Sequence, residues 1–411
     1  MQKTLIGPFA QILPMTGLPL KGALQDEQLT IINDGGILVM AGKIALIGNY
    51  AEMKAMADSE TLFEVIEGEQ VALPSFVDCH THICFGGNRA KDYAARNAGK
   101  TYLEIAAEGG GIWSTVNHTR AASEAALVAG ILSRAQRHLE QGVTTIEVKS
   151  GYGLSVAEEL KMLRAIQKAD KESPADLIAT CLAAHIVPKD GQTAQGYLKT
   201  IVAELFPILQ KENLAQRVDA FIEQGAYTPA DVQYYFEAAQ KLGLDITVHA
   251  DQFSTGGSQA AIDHSAISAD HLEASGPKEI AALAQSDTIA VALPGASMGL
   301  GCAYTPARAL LDQGGALAIA SDWNPGSAPM GNLLMQAAVL GSYEKLSNAE
   351  VLAGITFRAA AALNIQAGTL QEECQADIVA FKTDNYQNIL YQQGMLIPAQ
   401  VWKNGKPQIH K

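Results

Sequence analysis

Eight apolar runs of strand length punctuate the middle of the chain, and helix-like patterns fill most of the intervals between them. The runs are SFVDCH (75–80), TTIEVKS (144–150), LIATCLAAH (177–185) and VDAFIEQ (218–224), then DITVHA (245–250), SAISADH (265–271), TIAVALP (288–294) and ALAIASD (316–322). VAEELKMLRAIQKAD follows the second run and PADVQYYFEAAQKLG the fourth. Near-continuous apolar strands alternating with helices imply a parallel sheet covered by helices, because such strands are buried on both faces. Eight units over residues 74–368 match a (β/α)8 TIM barrel in size. A doubly wound sheet is the alternative, but no GxGxxG follows the first run and no GxxxxGK[ST] occurs anywhere.

The two ends read differently. LTIINDGGILVMAGKIALIG near the start gives short strands around a Gly-rich turn and another turn at Gly42-Lys43. ADIVAF and AQVWKNGKP resume this style near the end, where Asn404-Gly405 is a hairpin signal. The expectation is an α/β chain in which residues 1–73 and 369–411 build one small β-sandwich beside the barrel. Between the first and second runs the interval is unusually long. An insertion there, over residues 83–122, falls on the barrel face where active sites are built and is a candidate lid.

Composition closes several functional classes. With 29 Lys+Arg against 43 Asp+Glu, the chain carries a net charge of −14. An acidic surface opposes nucleic acid and anionic membranes, which need clustered cations to displace counterions. No apolar run is long enough to span a bilayer, and residues 1–15, broken by Gly7, Pro8 and Pro14, show no signal-peptide pattern. The five cysteines form no CxxC pair, so a disulfide framework is not expected. These features imply a cytoplasmic protein without nucleic-acid or membrane partners. A homodimer is compatible with the chain, since a dimer patch and the apolar surface of barrel helices look alike in sequence.

Five of the nine histidines, His80, His82, His185, His249 and His271, end proposed strands, and Asp322 ends the eighth. Strand ends converge at the mouth of a barrel, so these residues should meet. His80 and His82 share parity and leave the same face of an extended strand, while Cys79 points away. Imidazoles with a carboxylate suit zinc, iron, nickel or copper, and a catalytic site keeps one position open. Taken alone, Asp322 also suits a helix N-cap. His118, His138 and His410 lie off the strand ends and are expected to be solvated, and His264 to be structural.

At this point the chain resembles a family. ALPSFVDCHTH, VHADQF, SADHLE and SDWNPGS look like the metal-dependent amidohydrolase superfamily, and MAGKIALIG and ADIVAF resemble its terminal sandwich strands. Within it, CHTH followed by FGGNRA, EVKSGYGL, AAHIVP and SDWNPGS is similar to the imidazolonepropionase family of histidine degradation. FGGNRA and KSGYGL are the motifs that separate that family from its relatives.

The resemblance implies one divalent or trivalent metal ion, zinc or iron, held by His80, His82, His249 and Asp322. It assigns substrate contacts to Arg89, Tyr152, His185 and Gln252, and to Asn324, Gly326 and Ser327 on the last loop. The implied reaction hydrolyses the cyclic amide of 4-imidazolone-5-propionate to N-formimino-L-glutamate, since a metal can bring the pKa of bound water to about 7. Related deaminases place a proton-shuttling Glu where this chain has Gln252. An amide cannot titrate, so base duty falls on Asp322, helped by His271, with His185 near the carbonyl oxygen.

The substrate is a small anion, and Arg89 offers a bidentate fork for its carboxylate. Glycines flank Tyr152 and allow its ring to be aimed into the mouth. Two-metal relatives carry a lysine at the end of strand four, where this chain has Glu223, so one metal is expected, with Glu223 in a structural ion pair. Lys149 is read as a charged group inside the barrel. Two other enzymes remain as alternatives: a related amidohydrolase deaminating a small N-heterocycle, and a Schiff-base barrel built on Lys149.

Overall fold

The computed structural model describes residues 3–101, 104–105 and 108–410, the side chain of His410 excepted. Five strands precede the barrel: β1 (Lys3–Ile12), β2 (Ile32–Met40), β3 (Lys43–Asn49), β4 (Thr61–Val65) and β5 (Val71–Pro74). The barrel strands are β6 (Phe76–Asp78), β7 (Val143–Lys149), β8 (Asp176–Ala184) and β9 (Arg217–Ile222), then β10 (Asp245–Ala250), β11 (Ser268–His271), β12 (Ile289–Ala292) and β13 (Leu317–Ile319). Finally come β14 (Ile378–Phe381), β15 (Pro398–Lys403) and β16 (Lys406–His410).

Strands β6 to β13 pair in sequence order, all parallel, and each of the eight apolar runs holds one of them. The ring closes just beyond the ends of β6 and β13. There Asp322 N donates to His80 O at 3.0 Å and His82 N to Trp323 O at 3.0 Å. Closure thus aligns the His-x-His pair with the aspartate, so the bonds that complete the barrel also assemble the site. Capped helices cover the outside. Ser123 caps Glu124–Glu140 by accepting from Ala126 N, and Thr228 forms a capping box on Pro229–Lys241.

Both termini contribute to one small domain, as expected. Its strands run β16-β15-β14-β5-β1-β2-β3, with β4 also on β1. Three strand steps separate β15 from β1, which in a flat sheet is about 14 Å. Yet the rings of Trp402 and Phe9 lie 6.2 Å apart, edge to face. The single sheet curls over its own apolar cluster, which includes Phe9, Ile12, Ile37 and Trp402. The Gly-rich turn expected near residues 34–36 is instead continuous strand in β2, because a register shift in β1 between Ile6 and Phe9 absorbs the irregularity. The Asn404-Gly405 turn joins β15 to β16 as anticipated, with φ of 51° and 69°. Lys403 ties this domain to the barrel, its Nζ 2.6 Å from both Asp176 and Asp377. No helix among the described residues is long and apolar enough to cross a membrane.

His138 corrects the expectation of solvation. It is fully buried, 3.1 Å from Asp78 through Nε2, with its ring edge-on to Trp323. The reason is helical phase: Leu127, Ile131, Ala135 and His138 form one buried stripe. His118 is exposed and His264 packs on Phe236, in line with their expected roles. The side chain of His410 lies outside the described residues.

Candidate metal centre and substrate cavity

Three imidazoles converge at the barrel mouth. His82 Nε2 lies 3.3 Å from His80 Nε2 and 3.2 Å from His249 Nε2. Asp322 Oδ1 stands 3.6 Å from His80 Nε2 and 3.4 Å from His82 Nε2, and although buried has no hydrogen-bond partner among the described residues. Two further imidazoles flank the cluster: the His271 ring is 5.9 Å from that of His80 and 5.4 Å from that of His249, and the His185 ring is 5.4 Å from that of His82.

The outer nitrogens decide what this cluster can be. His80 Nδ1 is 2.6 Å from Asp270 Oδ2, and His249 Nδ1 is 2.9 Å from Asp219 Oδ2. Asp270 accepts a hydrogen bond from His80 Nδ1 and the Asp219 carboxylate lies against His249 Nδ1, which favours the proton on each Nδ1 and an Nε2 lone pair facing inward. Burial pushes His80 and His82 well below the usual imidazole range and His249 down to about 4, so these rings are neutral. The inward lone pairs of His80 and His249, the His82 imidazole and an orphaned carboxylate oxygen gather around one point, an arrangement that a cation among them satisfies. The donor set therefore fits a metal ion, and imidazole with carboxylate suits zinc or iron.

Beneath the cluster lies a buried charge lattice. Lys149 Nζ is 2.8 Å from Glu147, 2.9 Å from Asp219 and 3.9 Å from Asp270. Burial opposes its charge, but Asp219 and Glu147 outweigh that and hold its pKa above the ordinary lysine value. A lysine so held is no nucleophilic amine, which removes the Schiff-base reading. Sequence reasoning missed Asp219 and Asp270, although both fall in proposed strands. Asp219 sits beside His249 across the β9–β10 pair, where His249 N donates to its Oδ1 at 3.2 Å.

Asp322 occupies a backbone conformation uncommon outside glycine, with φ of 47°, and His271 has φ of 88°. Asn324 accounts for the orientation of Asp322. Its Nδ2 donates to Asp322 Oδ2 at 3.0 Å, while its Oδ1 accepts from Gly326 N and Ser327 N at 2.7 and 2.8 Å. One carboxylate oxygen is thus tied down and the other is left for the imidazoles. Burial pushes the Asp322 carboxyl up to about 7. For His271 burial instead opposes the protonated form, but Glu273 outweighs it and raises the imidazole pKa.

Above the cluster is a cavity of about 160 Å³. All the proposed site residues line it except His80, which lies deeper. His82, His249, His271 and Asp322 face Arg89, Tyr152, His185 and Gln252, and the Asn324, Gly326 and Ser327 loop completes the wall. Arg96, Ile112, Phe221 and Leu300 line it as well and were not singled out from sequence. A larger cavity, about 710 Å³, lies at the opposite ends of the barrel strands beside Ile267 and Thr288, with Asp287 its one acid or base. The chemistry is therefore in the smaller one.

Two buried carboxylates shape the loops. Glu159 accepts from Gly151, Gly153 and Leu154 N at 2.9, 2.7 and 2.8 Å, which fixes Tyr152 at the rim. Gly151 has φ of 106°, and a Cβ there would meet Leu182 at 2.9 Å. Glu223, expected in an ion pair, instead accepts from Phe253 N at 2.8 Å and Ser254 N at 3.1 Å. It holds the loop that carries Gln252. Burial keeps His185 neutral, down to about 3, with Nδ1 3.0 Å from Gly151 O. Its Nε2 is then a lone-pair acceptor, suited to a substrate N–H more than to an oxyanion.

The amidohydrolase family model matches residues 71–407. The imidazolonepropionase of Bdellovibrio bacteriovorus is 38% identical over 408 residues, covering 98% of this chain and 96% of that one. That of Acinetobacter baumannii is 40% identical over 391 residues, covering 94% and 97%. An adenosine deaminase from Xanthomonas campestris, solved with bound zinc, shares the fold with a TM-score of 0.73 at 17% identity, covering 99% of this chain and 93% of that one. With the family model matched from the last strand before the barrel to the final hairpin, and relatives 38–40% identical along nearly their full length, the chain belongs to the amidohydrolase family.

Proposed function

We propose that the protein hydrolyses the ring amide of 4-imidazolone-5-propionate, giving N-formimino-L-glutamate. Supporting this is the cavity itself, which joins the imidazole and carboxylate cluster on its floor to the Arg89 guanidinium on its wall. Relatives named imidazolonepropionase match almost end to end. His80, His82, His249 and Asp322 would hold one metal, zinc or iron. When bound, the metal supplies Lewis acidity and an activated water.

The remaining steps belong to the chain. Arg89 binds the propionate and sets the depth of the ring. His185 Nε2 accepts from a ring N–H and orients the carbonyl. Asp322 takes a proton from water as oxygen adds to the ring carbonyl carbon. It returns that proton to the ring nitrogen as the C–N bond breaks, leaving a carboxylate and the formimino group. His271, its Nδ1 3.5 Å from Glu273, would donate a hydrogen bond to the oxygen that gains charge. Deamination of a neutral heterocycle would leave the cationic wall without a counter-charge, and Gln252 could not shuttle a proton.

The test is hydrolysis of freshly prepared 4-imidazolone-5-propionate before and after chelation. Activity should vanish with the metal and return on zinc or iron addition. A metal-loaded enzyme that ignores this substrate yet deaminates a neutral heterocycle would overturn the assignment. In the same assay Arg89→Ala should raise KM about 100-fold and lower kcat less than about 10-fold, as expected for loss of a bidentate carboxylate contact. An unchanged KM would remove Arg89 from the site.

A further inference from the structure

We propose that Arg96 is a second carboxylate-binding residue of the cavity, sharing the anionic side chain of the substrate with Arg89. The proposal deepens the reading above and rests on its anionic substrate. Arg89 caps the helix Ala90–Asn97, and Arg96 sits two turns further along, so the two side chains leave the same side of that helix. Both line the cavity, and among the described residues they are its only lysine or arginine side chains.

Their electrostatic situations differ. Arg89 Nε is bonded to Asp92 Oδ2 at 2.7 Å, so its charge is largely offset by a neighbour. Asp92 also accepts from Gly111 N at 2.8 Å, which fixes the carboxylate against the arginine. Arg96 makes no ion pair among the described residues. Its Nη2 donates to Gly326 O at a long 3.3 Å, and its Nε is buried without a hydrogen-bond partner. With one long hydrogen bond and no ion pair, the guanidinium on the cavity wall keeps charge and outer N–H groups for an acceptor, and an anion in the cavity is such an acceptor.

Gly326 brings both arginines to one place on the wall. A Cβ there would lie 2.3 Å from Arg89 Nη1, so in this arrangement Arg89 crosses over the glycine while the glycine carbonyl accepts from Arg96. Net charge gives the reason for two cations. In a chain of net charge −14, an arginine already paired with Asp92 offers little uncompensated charge to an incoming carboxylate. Arg96 supplies it.

The test is calorimetric binding of imidazole-4-propionate and of 4-ethylimidazole to the metal-loaded enzyme. The first keeps the carboxylate and cannot be hydrolysed as a lactam; the second lacks the charge. Arg96→Gln should weaken imidazole-4-propionate about 10- to 100-fold and leave 4-ethylimidazole within about 2-fold, with Arg96→Lys recovering part of the loss. In turnover, KM for 4-imidazolone-5-propionate should rise while kcat stays within about 3-fold. Equal weakening of both ligands, or unchanged affinity for the propionate, would overturn the proposal. Because binding is read without turnover, a failed hydrolysis assay would sink the proposed reaction yet leave this result decisive.

Discussion

In the His249→Ala variant, the metal should be lost and hydrolysis with it. One of three inward-facing Nε2 atoms disappears, and the neutral imidazole that Asp219 orients goes with it. Catalytic metal sites usually rely on three protein ligands, so removing one also leaves the ion too loosely held to survive dialysis. Metal content should fall from about one ion per chain to a small fraction, and kcat/KM by at least about 1,000-fold. The fold should persist, because Lys149 remains 2.9 Å from Asp219 and keeps that carboxylate paired. Elemental analysis alongside far-UV circular dichroism separates the two effects. A folded variant at full metal occupancy would show that His249 is not a ligand.

Asp322→Asn has a comparable expected effect by a different route. The substitution is nearly isosteric, and the amide oxygen can still accept from Asn324 Nδ2. The new NH2, however, takes the place of Oδ1, 3.6 and 3.4 Å from the His80 and His82 Nε2 atoms. It would donate to their lone pairs and satisfy the cluster without a cation. The variant also loses the group proposed to carry the proton from water to the leaving nitrogen. We expect weaker metal binding and, with metal supplied in excess, a kcat about 100- to 10,000-fold lower at little changed KM. Full activity at full metal occupancy would assign proton transfer to another residue, His271 being the nearest.

The eight barrel strands were legible because buried parallel strands need unbroken apolar runs, a signal that survives without tertiary knowledge. His80, His82, His185, His249 and His271 were legible for a related reason: polar residues ending apolar strands have few structural uses, and barrel geometry gathers them. Asp219 and Asp270 were not. An acid within a strand reads as a break in hydrophobicity until its partner is visible, and those partners lie across neighbouring strands. His138 was misread because its burial depends on helical phase and on Asp78, 60 residues earlier. Arg96 was not singled out from sequence, and only the cavity wall placed it beside Gly326. The turn expected near residues 34–36 failed because glycine pairs signal turns and strand irregularities alike.

Sequence alone determined the barrel, the two-ended small domain and the convergence of histidines with Asp322 on one mouth. Those follow from periodicity and from residues at strand ends, which local chemistry fixes. Tertiary structure decided how the convergence works. It showed which nitrogen of His80 and of His249 faces inward, because Asp270 and Asp219 lie against the outer ones. It showed that Asn324 turns one oxygen of Asp322 toward them. It also showed that Asp92 offsets Arg89 and leaves Arg96 uncompensated. Each of these depends on distances between residues far apart in the chain, and a tautomer, a carboxylate's orientation or an unpaired charge is set by such neighbours rather than by residue type.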